Sequence, residues 1–310
     1  MMRSLQRQPG CRDFPRGFTL VELMVSMTIG LLLVAAMLSA LLGSSATGKT
    51  RDRASAVQFS GRYALDVMKR DIQHAGYLGI TSLFIPDIPV PFAVTNVCDA
   101  ANVGRISLRV WGAESNPYSG SCLPAAQYAG GDVLVVRRLS ANAVAAPFSN
   151  ALIYYHSSYE GGQPFVGPTA PNFNGTGFQP PYLDYLLRET VYYVSPYTTS
   201  PTESPKVPAL YRLTLTNGPA MVPELVATGV EQMQLRYGVF ATDGSAVLVP
   251  ATGVSDWDSV ASVEISLLVR ADAAEPGYQN TATYSIGGSD FTVNDGYRRV
   301  VYTTVVQMRN

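Results

Sequence analysis

Gly17-Phe18-Thr19-Leu20-Val21-Glu22-Leu23-Met24-Val25 opens the stretch that decides the fold. From Phe18 to Leu42 the only charged residue is Glu22, and Leu23–Leu42 is an uncharged run of 20 residues. At roughly 1.5 Å of rise per residue, such a run makes a helix about 30 Å long, which matches the hydrocarbon core of a bilayer. Arg3, Arg7, Arg12 and Arg16 precede it, with Asp13 as the only acid among the first 17 residues. The positive-inside rule then puts Met1–Gly17 in the cytoplasm and everything after Leu42 on the far side. A secretory signal has an apolar core of roughly 7–15 residues and a small-x-small cleavage site, and neither fits here. A plain anchor explains the length but leaves Glu22 unexplained. An unpaired acid near the edge of a membrane helix costs about 1–3 kcal/mol and marks a functional site by default.

A partner for Glu22 exists if the chain is cut between Gly17 and Phe18. The new α-amine on Phe18 lies four residues, about one helical turn, before Glu22, where ammonium and carboxylate neutralise each other. A carboxylate in the first turn also suits the positive end of the helix dipole, so the helix is expected to begin at Phe18.

The string Gly17 to Val25 resembles the prepilin signature of type IV pilins and type II secretion pseudopilins. Its elements are a Gly, a Phe that is methylated, and a Glu fifth in the mature chain ahead of a long apolar helix. The resemblance implies that a prepilin peptidase cuts after Gly17 and methylates Phe18. It also implies that Glu22 pairs with the Phe18 amine of a neighbouring subunit as a filament grows. The leader of 17 residues is longer than is usual for major pilins.

Beyond Leu42, the weak helix-forming patch 43–48 gives way to renewed helical spacing from Lys49 to Ala75. Val57, Gly61, Ala64, Met68, Ile72 and Ala75 recur at steps of three and four, and Arg53, Arg62, Asp66, Lys69, Arg70 and Gln73 fall largely elsewhere. This pattern is the core face of a helix packed on a sheet. Gly76 stands where a left-handed C-cap ends it, near His74–Ala75. In pilin-like chains the glycine patch is expected to melt on assembly.

After Gly76 the pattern changes to short alternating runs. Candidate strands are Arg105–Trp111, Asp132–Leu139, Leu152–His156, Leu187–Val194, Ala209–Thr216, Leu225–Thr228, Glu231–Phe240, Val260–Arg270 and Arg299–Met308. Asn217-Gly218, Asp243-Gly244 and Asp295-Gly296 are turn dipeptides, the first two joining neighbouring strands. Glu160–Tyr182 and Ser195–Pro208 read as surface loops. The expected architecture is α+β: a long N-terminal helix, transmembrane in its first half, packed on an antiparallel β-rich head. Its divisions are a cleaved cytoplasmic leader (1–17), a membrane and assembly helix (18–45), an amphipathic second half (46–76) and a periplasmic head (77–310).

Composition narrows the functional classes. Charged residues make up 15% of the chain, below the roughly 25% of ordinary soluble domains, while 18 Tyr, 27 Gly and 21 Pro favour strands and turns. Without the leader, 18 basic and 22 acidic residues remain, which is no footprint for nucleic acid. Cys11 leaves with the leader. Cys98 and Cys122 are expected to pair as a disulfide in an oxidising periplasm, the alternative being a metal or redox pair, for which no C-x-x-C spacing exists. His74 and His156 are the two histidines, and no G-x-S-x-G, H-E-x-x-H or P-loop motif is present. Asp243, Asp256, Asp258 and Asp272 could ligate Ca²⁺ but lack the EF-hand order. No catalytic site, cofactor or metal is expected.

Three further stretches carry a narrower resemblance to the PilW family of minor pilins. They are Gly61–Asp66 with Arg70–Tyr77, then Val230–Gly238 with Trp257 and Val263–Arg270, and finally Arg298–Asn310. Ile80 stands where many relatives place a Cys, and 80–225 show no such match. The resemblance implies a single-pass inner-membrane subunit with a periplasmic head that primes type IV pili. Its implied partners are the prepilin peptidase, other minor pilins, the major pilin, and a large adhesin at the pilus tip. Three alternatives remain open: a type II secretion minor pseudopilin, a membrane-anchored periplasmic enzyme, and a DNA-uptake pilin.

Overall fold

The computed structural model describes residues 17–81, 98, 106, 108–218, 220–241 and 244–309, and the side chains of these except 44–47. Leader residues 1–16 with Cys11, Arg105 of the first expected strand, Asp243 and Asn310 lie outside the described residues. The chain forms two units, Met1–Asp52 and Arg53–Asn310.

Helix α1 spans Leu20–Gln73 without a break, including 43–48. It starts two residues later than expected, because Thr19 takes the N-cap position. Thr19 Oγ1 accepts the Glu22 N–H at 3.3 Å, and its carbonyl accepts the Leu23 N–H at 3.1 Å. In the first unit the large apolar side chains stand exposed, with Leu31 at 70% and Leu42 at 70%. This helix is long and apolar enough to cross a membrane. At its other end, the Gly76 N–H donates to the Arg137 carbonyl at 2.9 Å, and Gly76 adopts φ +75°. A β-carbon at Gly76 would also meet the Arg109 side chain at 2.1 Å, so glycine is required twice over.

In the second unit the predicted stripe is the buried face: Val57, Gly61, Ala64, Met68, Ile72 and Ala75. Gly61 lets the last strand approach, since a β-carbon there would lie 2.3 Å from the Tyr302 ring.

The head holds two main antiparallel sheets. The larger has β5 (Leu183–Ser195) as its spine. One edge of β5 pairs with β2 (Val133–Leu139), which pairs with β1 (Val110–Ala113). The other edge pairs first with β3 (Ile153–Ser157) and then with β6 (Ala209–Thr216). β4 (Gly162–Val166) lies outside β3, and β7 (Ala220–Thr228) outside β6. The second sheet runs β13 (Arg299–Gln307), β10 (Ser262–Arg270), β8 (Val230–Phe240), β9 (Ala246–Val249). A separate hairpin joins β11 (Thr283–Ile286) to β12 (Ser289–Thr292).

The strand reading therefore needs correction at several points. β4 falls within 160–182, expected to be a loop, because its Pro164 sits on an edge strand where a missing N–H breaks no ladder. β9, β11 and β12 were not expected, and β1 runs further along the chain than Arg105–Trp111. The Asn217-Gly218 turn does join β6 to β7, and β8 pairs β9 across Gly244.

Alternate residues of β2 and β5 enter two different cores. Leu134, Val136, Tyr192 and Val194 pack with the helix stripe and with Leu235, Ile265 and Leu267 of the second sheet. Val133, Val135, Val191 and Tyr193 face the other way, into a cluster with Leu123, Tyr155 and both Cys98 and Cys122. A sheet buried on both faces reads as continuous apolar runs, as Val133-Leu134-Val135-Val136 does.

Asp132, at the head of β2, is 3% exposed. Its Oδ2 accepts the Leu235 N–H at 2.6 Å, tying the two sheets together. Burial pushes its carboxyl from 3.8 up to about 7, against the lowering effect of that N–H. The folded state therefore holds the proton more tightly than the unfolded chain. This stability is complete below about pH 4 and is lost as pH rises toward 7, at up to about 1.4 kcal/mol per pH unit. Asp132→Asn keeps an acceptor for Leu235 but cannot ionise. Urea unfolding of the detergent-solubilised chain between pH 4 and 8 is expected to show that slope flattened in the variant.

Candidate assembly site

The residues picked out at the N-terminus lie together at the start of α1. Phe18 is 78% exposed and precedes the Thr19 cap, and Glu22 falls in the first turn. Thr19 and Glu22 occupy the positions of a capping box, a signal legible in Thr19-Leu20-Val21-Glu22 that the sequence reading passed over. The Glu22 carboxylate forms no ion pair among the described residues, while its carbonyl accepts the Ser26 hydroxyl at 2.7 Å. An acid is thus held at the positive end of a helix dipole, at the mouth of an apolar run, without a counter-charge among the described residues. In chemical terms a carboxylate so placed can pair with an ammonium group.

The other candidate residues serve the architecture of the head. Cys98 and Cys122 form the expected disulfide inside the second core, closing a loop that stabilises by about 3 kcal/mol in the entropic account. His74 Nδ1 lies 2.7 Å from the Arg70 carbonyl in the last turn of α1. His156 Nδ1 lies 2.7 Å from Asp184 Oδ1. The ring is packed among Phe165, Phe173 and Tyr182, with the Phe173 centroid at 4.5 Å, so the pair pins residues 160–182 onto the sheet. Of the four proposed Ca²⁺ ligands, Asp256 Oδ1 caps its own turn by accepting the Asp258 N–H at 3.0 Å. Among the described residues no three His, Cys, Asp or Glu side chains converge on a metal position. Glu203 organises the expected loop 195–208 by accepting the N–H groups of Val207, Thr198 and Thr199, which hold its carboxyl well below the usual range.

A buried ion pair was not anticipated. Arg137 and Glu189 are direct cross-strand partners on β2 and β5, with Nε and Oε2 2.8 Å apart and side chains 2% and 1% exposed. The available signal was parity: both charges fall on the same alternation as Val135, Leu139, Leu187 and Val191, which line the second core.

Comparison with known proteins agrees with this geometry. Residues 15–38 match the prokaryotic N-terminal methylation motif. That match falls at the start of the apolar helix, ahead of the antiparallel head. Residues 191–310 match the family described as type IV pilus-assembly protein W. The likeness to that family covers the last two-fifths or so of the chain. A solved type IV-like pilin from Thermus thermophilus is similar at 15% identity and a TM-score of 0.34, covering 84% of this chain and 95% of that one. No curated protein matches the chain.

Proposed function

We propose that the chain acts by assembly, as an inner-membrane minor pilin that primes a type IV pilus from its tip. On this reading a prepilin peptidase cuts after Gly17 and methylates Phe18. Residues 18–45 then hold the subunit in the membrane with the head in the periplasm. Glu22 receives the Phe18 amine of a neighbouring minor or major pilin, and the head meets other minor pilins and a large tip adhesin. One observation carries the proposal: an acid with no counter-ion among the described residues, in the first turn of a helix of bilayer length and inside a match to the N-terminal methylation motif. The function is structural, with the disulfide and the ion pairs rigidifying the head and no catalytic group required.

Deleting the gene tests this. Surface pili and twitching are expected to be lost and to return with the intact gene. Lost enzyme secretion with pili intact would instead make the chain a pseudopilin of a type II secretion system. Activity in the head with assembly undisturbed would make it an anchored enzyme.

A further inference from the structure

Among the described residues no strand pairs the outer side of β13, and the hydrogen bonds at its two ends fix which of its backbone groups point outward. The Ala271 N–H donates to the Arg298 carbonyl and the Met308 N–H to the Ala261 carbonyl. In an antiparallel ladder, hydrogen-bonded and non-bonded pairs alternate. Between those two bonds the register of β10 and β13 is unbroken over the full strand. The even-numbered residues of β13 therefore bond to β10. The N–H and C=O groups of Val301, Thr303, Val305 and Gln307 point away from it, and among the described residues none has a backbone partner.

Folded proteins protect such edges with short length, proline, lysine or bulges. The other edges of the two main sheets follow that rule. β1 and β9 have four residues each, β4 is five long and carries Pro164, and β7 carries Pro223 and, nearer its end, a register shift opposite Leu210 and Tyr211. β13 has nine residues, Arg-Val-Val-Tyr-Thr-Thr-Val-Val-Gln, with no proline, lysine or bulge; its one charge, Arg299, is buried at its first position against Glu231 and Asp295, and Val305 further along is 52% exposed. Among the described residues this edge, unlike the others, is left ready for a strand.

We infer that β13 takes up an extended segment of a partner polypeptide as a fifth strand of the second sheet, and that this segment carries carboxylate side chains. Only another extended backbone matches a row of alternating donors and acceptors at strand spacing. The charge follows from Arg62 and Arg309, which flank the edge and form no ion pair among the described residues. Arg62 follows the Gly61 contact and is an electrostatic neighbour of Tyr302, and Arg309 lies just past the strand. A second copy paired edge to edge would put two Arg62 side chains on one sheet face, which disfavours it. The inference concerns the second unit, Arg53–Asn310, and does not depend on Glu22 or on processing.

The test uses the full chain in detergent with two synthetic probes. Both are short peptides of alternating valine and threonine, one with glutamate at each end and the other with lysine. Amide hydrogen exchange is read at β13. The glutamate peptide is expected to slow the Val301, Thr303, Val305 and Gln307 amides on the order of tenfold, and the lysine peptide to act at far higher concentration. Val305→Pro removes one outward N–H without touching the β10 ladder. It is expected to abolish the effect while the even-numbered amides stay protected. Outward amides already slow in the chain alone, no slowing by the glutamate peptide, or equal binding of both peptides would overturn the inference. So would concentration-dependent dimerisation that Val305→Pro abolishes, since it would make the occupant a second copy.

Discussion

Glu22→Ala is expected to give a chain that is still cleaved after Gly17 and still membrane-inserted, but is absent from sheared filaments. Insertion survives because the change removes the one charge from an apolar run of bilayer length. The N-cap survives because Thr19 Oγ1 accepts the backbone N–H of residue 22, not its side chain. What is lost is the carboxylate that can pair with an ammonium. A neighbouring Phe18 amine brought to this depth would stay uncompensated, costing about 1–3 kcal/mol per contact, or roughly five- to 150-fold in association. Glu22→Gln keeps the shape and should fail alike, which separates charge from packing. Immunoblots of sheared pili against membrane fractions read the result, and normal incorporation of either variant would exclude the pairing.

Glu189→Ala is expected to destabilise the head by about 3–5 kcal/mol, because it strands the Arg137 guanidinium in a dry core. Arg137 keeps a 3.3 Å hydrogen bond to the Leu108 carbonyl, too little to satisfy a buried cation. Its backbone carbonyl also receives the Gly76 N–H, so the damage reaches the end of α1. Against a stability of about 5–15 kcal/mol for a typical domain, such a loss leaves little fold at growth temperature. Arg137→Met together with Glu189→Ala removes both charges and should recover most of the loss. Urea unfolding of the two variants measures it, and equal destabilisation in both would show that packing, not charge, is at stake.

Much of this architecture was legible in the chain because one period dominated it. The stripe Val57 to Ala75 is buried as spaced, since a helix with one apolar face has a single way to bury it. The second core was harder to foresee. β2 and β5 are buried on both faces, so their apolar runs carry no alternation to say which side faces the helix. β11 and β12 are short and largely exposed, turning at Gly287-Gly288, and offered no buried face to detect. β4 was masked by its own Pro164. At the candidate site, Gly17, Phe18 and Glu22 were readable because an acid in an apolar run demands a reason. Arg137, Glu189 and Asp132 were not, because their partners come from strands brought together only by the fold.

The N-terminus of the mature protein decides the central question. Mass spectrometry of the chain purified from its native membrane is expected to find an N-terminal peptide starting at Phe18 with one added methyl group. A terminal peptide starting at Met1, with Arg3 to Arg16 still attached, would mean that no amine is made for Glu22 to receive.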